Sequence, residues 1–571
     1  MLWIFLKSIS KVFQIVFAAV VAGLVILVPA YFAFLDPDWH HDGILFKPAV
    51  DVASGLALYR ETFSQYGALT TYLQAAAISI FGKHLLVIRL QAAIFLSLSG
   101  TLLFVIAHRI APRNIAILSV FIWLAVAPYL GETFLPWSSI YSLFFILLGG
   151  WLLGKAVEPD TPRTLGYWLC FFSSFSFSAA FWARQPTGIM LPVMFLLFAI
   201  LLLDRGLAHR RLCFQALAYI VGFLPLTTLM LAWLLINQSL GDWWLQSIVG
   251  ASSFMAETTN AEKGFISNLM DHLLPHPNFI RGSGGSNLWR ILPILTLIIF
   301  SCSLINLSIR RAQTTQGRQL LIASLLAIGM WHQYFPVPGA WQIYWGATLM
   351  IIVVAAGVFH TVSFLGIRPT LRILVALIAI GSLFGHEIYS RSKPAFIISP
   401  ISRIQIPTLE GMWASNQYSQ KNNFSGSIHE YIRELGNLGR VLNNIRSLDP
   451  DRPLVTLTED LYLPSVLKES NPGPVTVWWR WVRNLYPDHE KGFKKFVKMH
   501  QPLIEIKIKP WGWNKFDWAN KDSAIRARFG LAHYDVLVQT KYSDSGTAQI
   551  LAPADFLAEY QEKFGTEQER Y

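Results

Sequence analysis

The sequence predicts a polytopic α-helical membrane protein with about eleven spanning helices, followed by a water-exposed α/β region. Three observations carry that expectation. Apolar runs of about 17–25 residues, long enough to cross a bilayer core, recur from Met1 to about Ser390. Charged residues make up only 14% of the 571 residues and hydrophobic residues 53%, whereas a soluble domain carries about a quarter charged residues. After Arg391 the chain turns polar, mixed in charge and rich in Trp. The division this implies is a membrane part over 1–390 and an extracytoplasmic α/β domain over 391–571.

Composition also excludes several classes. Cys170, Cys213 and Cys302 all lie in apolar runs with no CxxC spacing, which argues against a disulfide framework or a structural zinc site. The net charge of +12 does not point to nucleic acid, because the basic residues sit in short loops between apolar runs. Lys7 and Lys11 precede a run that continues to Leu35. That is longer than the apolar core of a cleaved signal, so an uncleaved first span is expected.

Spans are expected at 12–35, 85–107, 114–131, 137–154, 166–183, 188–204, 213–236, 289–309, 319–335, 341–364 and 371–389. Alternate loops carry the basic clusters: His108-Arg109 with Arg113, Lys155 with Arg163, Arg205 with Arg210-Arg211, Arg310-Arg311 with Arg318, and Arg368 with Arg372. Basic loops mark the cytoplasmic side. The N-terminus shares that side, and the compact loops fit a bacterial inner membrane. The opposite face then holds the long segments 36–84 and 238–288, the turns near Glu132–Trp137, Arg184–Thr187 and Trp331–Trp341, and the tail. Few polar groups fall in mid-span, where a solute carrier would need them, so chemistry is expected at the outer surface. In the tail, a helix is expected near 428–447 with Ser427 as its cap, and another over 490–499. Strand-like runs at 454–457, 475–477, 503–508 and 536–539 alternate with them, favouring a partly parallel sheet.

The first outer segment reads Asp36-Pro37-Asp38-Trp39-His40-His41-Asp42-Gly43, placing three carboxylates and two histidines at the end of a span. A short helix is expected from Gly43 to Ser54, with Asp42 near its start and Gly55 as its stop. A carboxylate at the mouth of an apolar cavity becomes a better base as its pKa rises. Asp42 is the first candidate and Asp38 the second, with helix capping the competing role for Asp42. Adjacent His40, His41 and Asp42 have the wrong spacing for one metal ion. Arg184, between two spans with almost no loop, reads either as a phosphate ligand through its forked donors or as a cation snorkelling to headgroups. Lys47 and Arg60 are further phosphate candidates. The stretch Trp331–Trp345 reads either as an interfacial aromatic belt or, through His332, Gln333, Gln342 and two prolines, as a pre-formed sugar site. The long segment that opens with Asp242-Trp243-Trp244 and contains His272–His276 and Arg281–Gly285 reads as a lid or a plain connector.

An acidic residue just after the first span, a short helix, then Phe63-Ser64-Gln65-Tyr66-Gly67-Ala68-Leu69 resembles the first outer loop of GT-C glycosyltransferases. It is most similar to the protein O-mannosyltransferase and aminoarabinose-transferase-like group. The resemblance covers 12–390 in topology and this loop in motif. It implies a GT-C-like membrane enzyme that moves a sugar from a polyprenyl-phosphate carrier to a glycan, lipid or protein on the outer face. It implies that Asp42 matches the essential acid, and that Gln65 and Tyr66 lie in the substrate-binding turn. Relatives carry a second acid before the fourth span; here Ser139 stands at that position, with Glu132 the nearest carboxylate. No obligatory metal is therefore expected. A transporter or flippase, and a non-catalytic scaffold of glycan assembly, are the alternative readings. A ligase or polymerase using lipid diphosphate would need paired outer arginines, and the long segment offers only Arg281 and Arg290.

Overall fold

The computed structural model describes residues 2–38, 41–250, 288–310, 314–334, 340–421, 427–456, 486, 488–508, 526–527, 529–543 and 546–565. Each expected span coincides with a helix. The helices are α1 (Leu2–Ala33), α2 (His41–Ala53), α3 (Ala68–Phe81), α4 (Leu85–Ile110), α5 (Arg113–Ala125), α6 (Ser138–Ala156), α7 (Arg163–Ala183), α8 (Met190–Leu201), α9 (His209–Ile236), α10 (Leu288–Arg310), α11 (Thr315–Met330), α12 (Ala340–Phe364) and α13 (Pro369–Ala395).

Length divides them. Among the described residues six are long and apolar enough to cross a membrane: Leu85–Ile110, Ser138–Ala156, His209–Ile236, Leu288–Ile309, Ala340–Phe364 and Leu371–Ala395. Shorter apolar helices include Ala18–Ala33, Ala68–Phe81, Arg113–Ala125 and Gln185–Leu201. The expectation of a single span over 114–131 is corrected: the helix stops at Ala125 and resumes as a one-turn 3-10 element, Pro128–Leu130. Pro128 lacks the N–H that would continue it. The segment 36–84 is largely helical rather than loop, since it holds α2 and α3.

Polar groups separate to the two ends of the bundle. At one end Arg318 pairs with Asp204 at 2.9 Å, and Arg211 caps the carbonyls of Ala156 and Glu158 at 2.9 and 3.1 Å. These belong to the basic loops. At the other end lie the first segment after α1, the α7–α8 turn with Arg184, and the turn Trp331–Tyr334. Between them the helices touch closely where small residues permit. A Cβ on Gly222 would stand 2.1 Å from the Phe171 carbonyl oxygen, and Ser173 Oγ donates to the Gly149 carbonyl at 2.7 Å.

Beyond α13, β1 (Pro400–Arg403) pairs antiparallel with β2 (Trp413–Ser415). A four-stranded sheet follows in the order β3-β4-β6-β5. Here β3 (Leu454–Thr456) runs parallel to β4 (Leu503–Ile508), and β5 (Tyr534–Ser543) forms an antiparallel pair with β6 (Gly546–Pro553). The sheet is partly parallel, as expected, but β6 was not anticipated. Ser427 Oγ caps Ile428–Leu448 by accepting from Glu430 N at 3.1 Å. The run at 475–477, the histidines at 272–276 and the segment Arg281–Gly285 lie outside the described residues.

Candidate active site

The first segment after α1 is held from both sides. Asp36 adopts φ +50, unusual for a residue other than glycine. It is fully buried, and its carboxylate accepts from Ser415 N and Ser415 Oγ, both at 2.7 Å, and from Lys421 Nζ at 2.8 Å. Tyr418 Oη donates to the Pro37 carbonyl at 2.9 Å. The chain then enters α2 through Asp38, whose Oδ1 accepts from His41 N at 2.6 Å and contacts His41 Nδ1 at 3.1 Å. Asp38, not Asp42, is thus the acid that caps α2. Gly55 ends the turn after α2 at φ +97, where a side chain would be strained.

The structure corrects the expectation for Asp42. Its side chain has no exposure and does not open onto a cavity mouth. Both oxygens are taken by Arg89, with Nε at 3.1 Å from Oδ1 and Nη2 at 2.9 Å from Oδ2, and Oδ2 also accepts from Asp38 N at 2.7 Å. Burial pushes its pKa up to about 6 even though Arg89 pulls it down. Arg89 also donates to the carbonyls of Ala33, Leu35 and Asp36 at 3.2, 2.7 and 3.2 Å. One guanidinium therefore joins the end of α1 to the start of α2. Sequence reasoning placed Arg89 inside a span and passed over it. The signal was there: a lone arginine in an apolar run, Ile88-Arg89-Leu90, is costly unless it has a job.

Lys47 is also corrected. It is buried, and its ammonium is ion-paired with Asp51, whose carboxylate also accepts from Thr62 Oγ1 at 2.6 Å. This is an internal pair rather than a cation offered to lipid phosphate. Arg60 is exposed and pairs with the adjacent Glu61 at 3.1 Å.

Other groups meet around Trp137. His41 packs against the Trp137 ring at 5.4 Å between centroids, and Tyr66 packs edge-on against it at 5.8 Å. Trp345 approaches at 6.2 Å, with Trp341 behind it at 5.5 Å. Tyr66 is the electrostatic neighbour of Arg184, and Gln65 hydrogen-bonds the Tyr66 hydroxyl. His332 lies close enough to Arg184 to feel its charge, and fixes its own ring through Nδ1 on the Gly329 carbonyl at 2.7 Å. Gly67 makes the approach possible. Its Cβ position is 2.1 Å from the Trp182 carbonyl oxygen, and Thr70 Oγ1 donates to the Ala183 carbonyl at 3.0 Å. The turn carrying Tyr66 is thereby pressed onto the end of α7, next to Arg184.

What remains is a set of buried polar atoms without protein partners: Arg184 Nε, Gln185 Nε2, His332 Nε2, Trp137 Nε1, Trp345 Nε1 and Gln333 Oε1. Buried polar groups in folded proteins are nearly all hydrogen-bonded. Most of these atoms are donors, and they lie at the end of the bundle that holds the first segment after α1. Arg184 has no carboxylate partner among the described residues. Gln342 is half-buried in the first turn of α12, beside Trp341. Ser139, at the position of the expected second acid, is buried with its hydroxyl unpaired. Glu132 lies 3.8 Å from Arg391, and burial raises its pKa against the pull of that arginine.

No family model matches the chain, and no characterised sequence matches it either. Solved structures do match. The crystal structure of ArnT from Cupriavidus metallidurans in the apo state superposes with a TM-score of 0.56 at 12% identity, over 96% of this chain and 99% of that one. The same protein bound to undecaprenyl phosphate gives 0.51 at 13%, over 95% and 98%. The apo Archaeoglobus fulgidus oligosaccharyltransferase gives 0.51 at 11%, over 96% and 81%. These likenesses show the fold: over nearly its whole length the chain has the fold of the GT-C membrane proteins. Within that class it is similar over nearly its whole length to ArnT, an aminoarabinose transferase.

Proposed function

We propose that the protein is an inverting membrane glycosyltransferase that takes a sugar from a polyprenyl-phosphate carrier. Transfer takes place at the end of the bundle opposite the basic loops, on the periplasmic side of a bacterial inner membrane. The acceptor is a glycan, a lipid or a protein. The observation that supports this reading best is Arg184, a half-buried guanidinium whose buried Nε has no partner, in electrostatic contact with Tyr66 and His332. Such a group fits a phosphate that leaves with its full charge.

In this reading the base is the Asp38–His41 pair rather than Asp42. Asp38 orients the imidazole through Nδ1, as carboxylates do for catalytic histidines. The acceptor hydroxyl gives its proton to this pair as its oxygen bonds to the anomeric carbon. The bond from that carbon to the phosphate oxygen breaks with its electron pair, and polyprenyl phosphate leaves on Arg184. His41 and Arg184 are linked through Trp137 and Tyr66, an arrangement that supports a sugar site between the proposed base and phosphate ligand against aromatic walls. Asp42 and Arg89 act as positioning residues. Because Ser139 replaces a second acid, transfer is proposed to need no metal, and chelation with EDTA should leave it intact.

The test uses purified full-length protein and undecaprenyl phosphate, with binding read by native mass spectrometry. Arg184→Gln should weaken binding at least tenfold, and His41→Gln should leave it unchanged while abolishing sugar transfer in membranes supplied with lipid-linked donor. Equal binding by Arg184→Gln and wild type would remove the phosphate site from this location.

A further inference from the structure

The end of α13 carries an apolar surface that no described residue covers. Phe396, which follows the last turn of the helix, is 87% exposed and Ile397 is 59% exposed, and Ile401 in β1 is exposed as well. Large apolar side chains grouped in this way mark interaction surfaces. Their backbone is firmly held. Ile398, next in the chain, is buried in the apolar core of the bundle, and its carbonyl accepts from Tyr31 Oη of α1 at 3.3 Å. Asn416 Nδ2 donates to the Ile397 carbonyl at 2.7 Å, and Asn416 Oδ1 accepts from Ser399 N at 3.0 Å. The main chain and one side chain are fixed inward, while Phe396 and Ile397 are turned out.

The kind of partner follows from the helix itself. The exposed apolar residues of α13 include Leu371, Leu374, Val375, Ile378 and Tyr389. Leu371 and Tyr389 are separated by about five whole turns, and Phe396 lies about two turns further on. One stripe therefore runs along the helix and continues into Phe396. Leu371–Ala395 is long and apolar enough to cross a membrane over its 25 residues, so the stripe faces lipid. About 20 residues cross the hydrocarbon core. Counted from Leu371, Phe396 falls about 9 Å beyond it, at the headgroup level where aromatic side chains collect. Two exposed cations, Lys393 on the same face and Arg403 at the end of β1, flank the patch. Long cationic side chains reach headgroups while their stems cover apolar surface.

We propose that the start of the tail, through Phe396, Ile397 and Ile401, is seated in the headgroup boundary of the leaflet at the end of the bundle that holds the candidate site, with Lys393 and Arg403 meeting lipid phosphates. The partner is the bilayer surface, and the seat is independent of the reaction proposed above. Because β1 pairs with β2, and Ser415 of β2 holds the Asp36 carboxylate, the seat ties the lipid surface to the segment after α1.

Spin labels on the full-length protein in nanodiscs of phosphatidylcholine and phosphatidylglycerol test this. Cys213 and Cys302, both exposed, are replaced by Ala, and the buried Cys170 stays in place. Labels are attached at Phe396→Cys or Ile397→Cys, with Leu374→Cys as the lipid reference and Lys491→Cys, at a side chain 86% exposed, as the water reference. The ratio of collisions with oxygen to collisions with a water-soluble nickel chelate should be at least threefold higher at Phe396 and Ile397 than at Lys491. The unaltered chain gives a second reading that no substitution disturbs. A photoactivated aliphatic diazirine dissolved in the nanodisc lipid should label the peptide carrying Phe396–Arg403 and leave Ile428–Leu448 unlabelled. Water-like collision ratios at Phe396 and Ile397, or no label in that peptide, would overturn the seat. So would labels shielded from both oxygen and chelate, which would mean that protein, such as a second copy of the chain, covers the patch.

Discussion

Replacing Arg89 by Met should unfasten the first outer segment from the bundle. The side chain has no exposure and holds two sets of partners at once. Its two bonds to Asp42 are 3.1 and 2.9 Å, and its three bonds to main-chain carbonyls at the end of α1 are 2.7 to 3.2 Å. Removing one partner of a buried ion pair costs about 3–5 kcal/mol, because the other charge stays behind without compensation. The stranded carbonyls add about 1 kcal/mol or more each. The sum is comparable with the whole stability of an ordinary domain, about 5–15 kcal/mol. Arg89→Met should therefore give a melting temperature lower by many degrees, or little folded protein on size exclusion in detergent. Arg89→Lys should recover only part, since an ammonium cannot reproduce the forked geometry. The informative variant is the double one. Adding Asp42→Leu removes the stranded charge, so Asp42→Leu/Arg89→Met should melt above Arg89→Met alone by the equivalent of the ion-pair cost, leaving only the carbonyl loss. If Arg89→Met melted within a degree of wild type, or the double variant were no better than the single, the clamp would not be holding the segment.

The remaining predictions concern the same region. Asp42 has a pKa of about 6 in the folded chain against about 3.9 unfolded. The folded state thus binds this proton more tightly, and its contribution to stability grows as pH falls from about 7 towards 4 and is constant above 7. The gain is on the order of 3 kcal/mol. Wild type minus Asp42→Asn melting, followed from pH 8 to 4.5, should show that rise, and a flat difference would mean that Asp42 titrates normally. Gly67→Ala would set a methyl 2.1 Å from the Trp182 carbonyl oxygen; the turn must shift away from Arg184, so undecaprenyl phosphate binding should fall severalfold with little change in expression. Gln246 is fully buried and joins three segments, accepting from Ser64 N at 3.0 Å and donating to the Tyr59 carbonyl and Tyr486 Oη at 2.6 and 2.8 Å. Gln246→Leu keeps the size but strands these groups, at about 1–3 kcal/mol each for those left dry, and should lower the melting temperature and increase proteolysis after Tyr486. Unchanged proteolysis would show the junction to be dispensable.

Much of the architecture was legible because bilayer crossing imposes a length and a composition that few other structures share. The runs near 85–107 and 341–364 coincide with Leu85–Ile110 and Ala340–Phe364. The cap at Ser427 and the stop at Gly55 were legible for the same kind of local reason, one a side-chain acceptor and the other a left-handed backbone. Arg184 was picked out between two spans, His332 in the aromatic stretch Trp331–Trp345 and Tyr66 in the outer turn that carries the resemblance, and the structure brings them together. The role of Asp42 was not legible. Asp38 and Asp42 sit on either side of the start of α2, and which of them turns inward is decided by Arg89, 47 residues further on. No local pattern contains that contact. Lys47 is a different kind of miss. Its partner Asp51 is four residues away on the same helix, the spacing at which helical ion pairs form, so the pairing was readable and a free cation was the less economical expectation. The strand β6 escaped because Gly546-Thr547-Ala548-Gln549 has weak strand propensity, and pairing on both sides outweighs it.

The tail, whose role the sequence left open, bears directly on the geometry of the proposed base. Asp36 is held at φ +50, a conformation that costs a non-glycine residue on the order of 1 kcal/mol or more. It persists because Ser415 and Lys421 from the tail satisfy its carboxylate and Trp413 exchanges main-chain hydrogen bonds with Phe34 and Asp36 at 2.8 and 2.9 Å. Asp38 follows two residues later, with Pro37 between them anchored by Tyr418. From below, the same stretch is fixed by Arg89 through the carbonyls of Leu35 and Asp36. A carboxylate that must present His41 at a set angle gains from being gripped by two independent elements, one in the bundle and one outside it. The tail then cannot be a passive appendage. Cutting the chain after α13 would remove every partner of the Asp36 carboxylate named here, leaving a buried charge unpaired at the entrance to the segment that carries the proposed base.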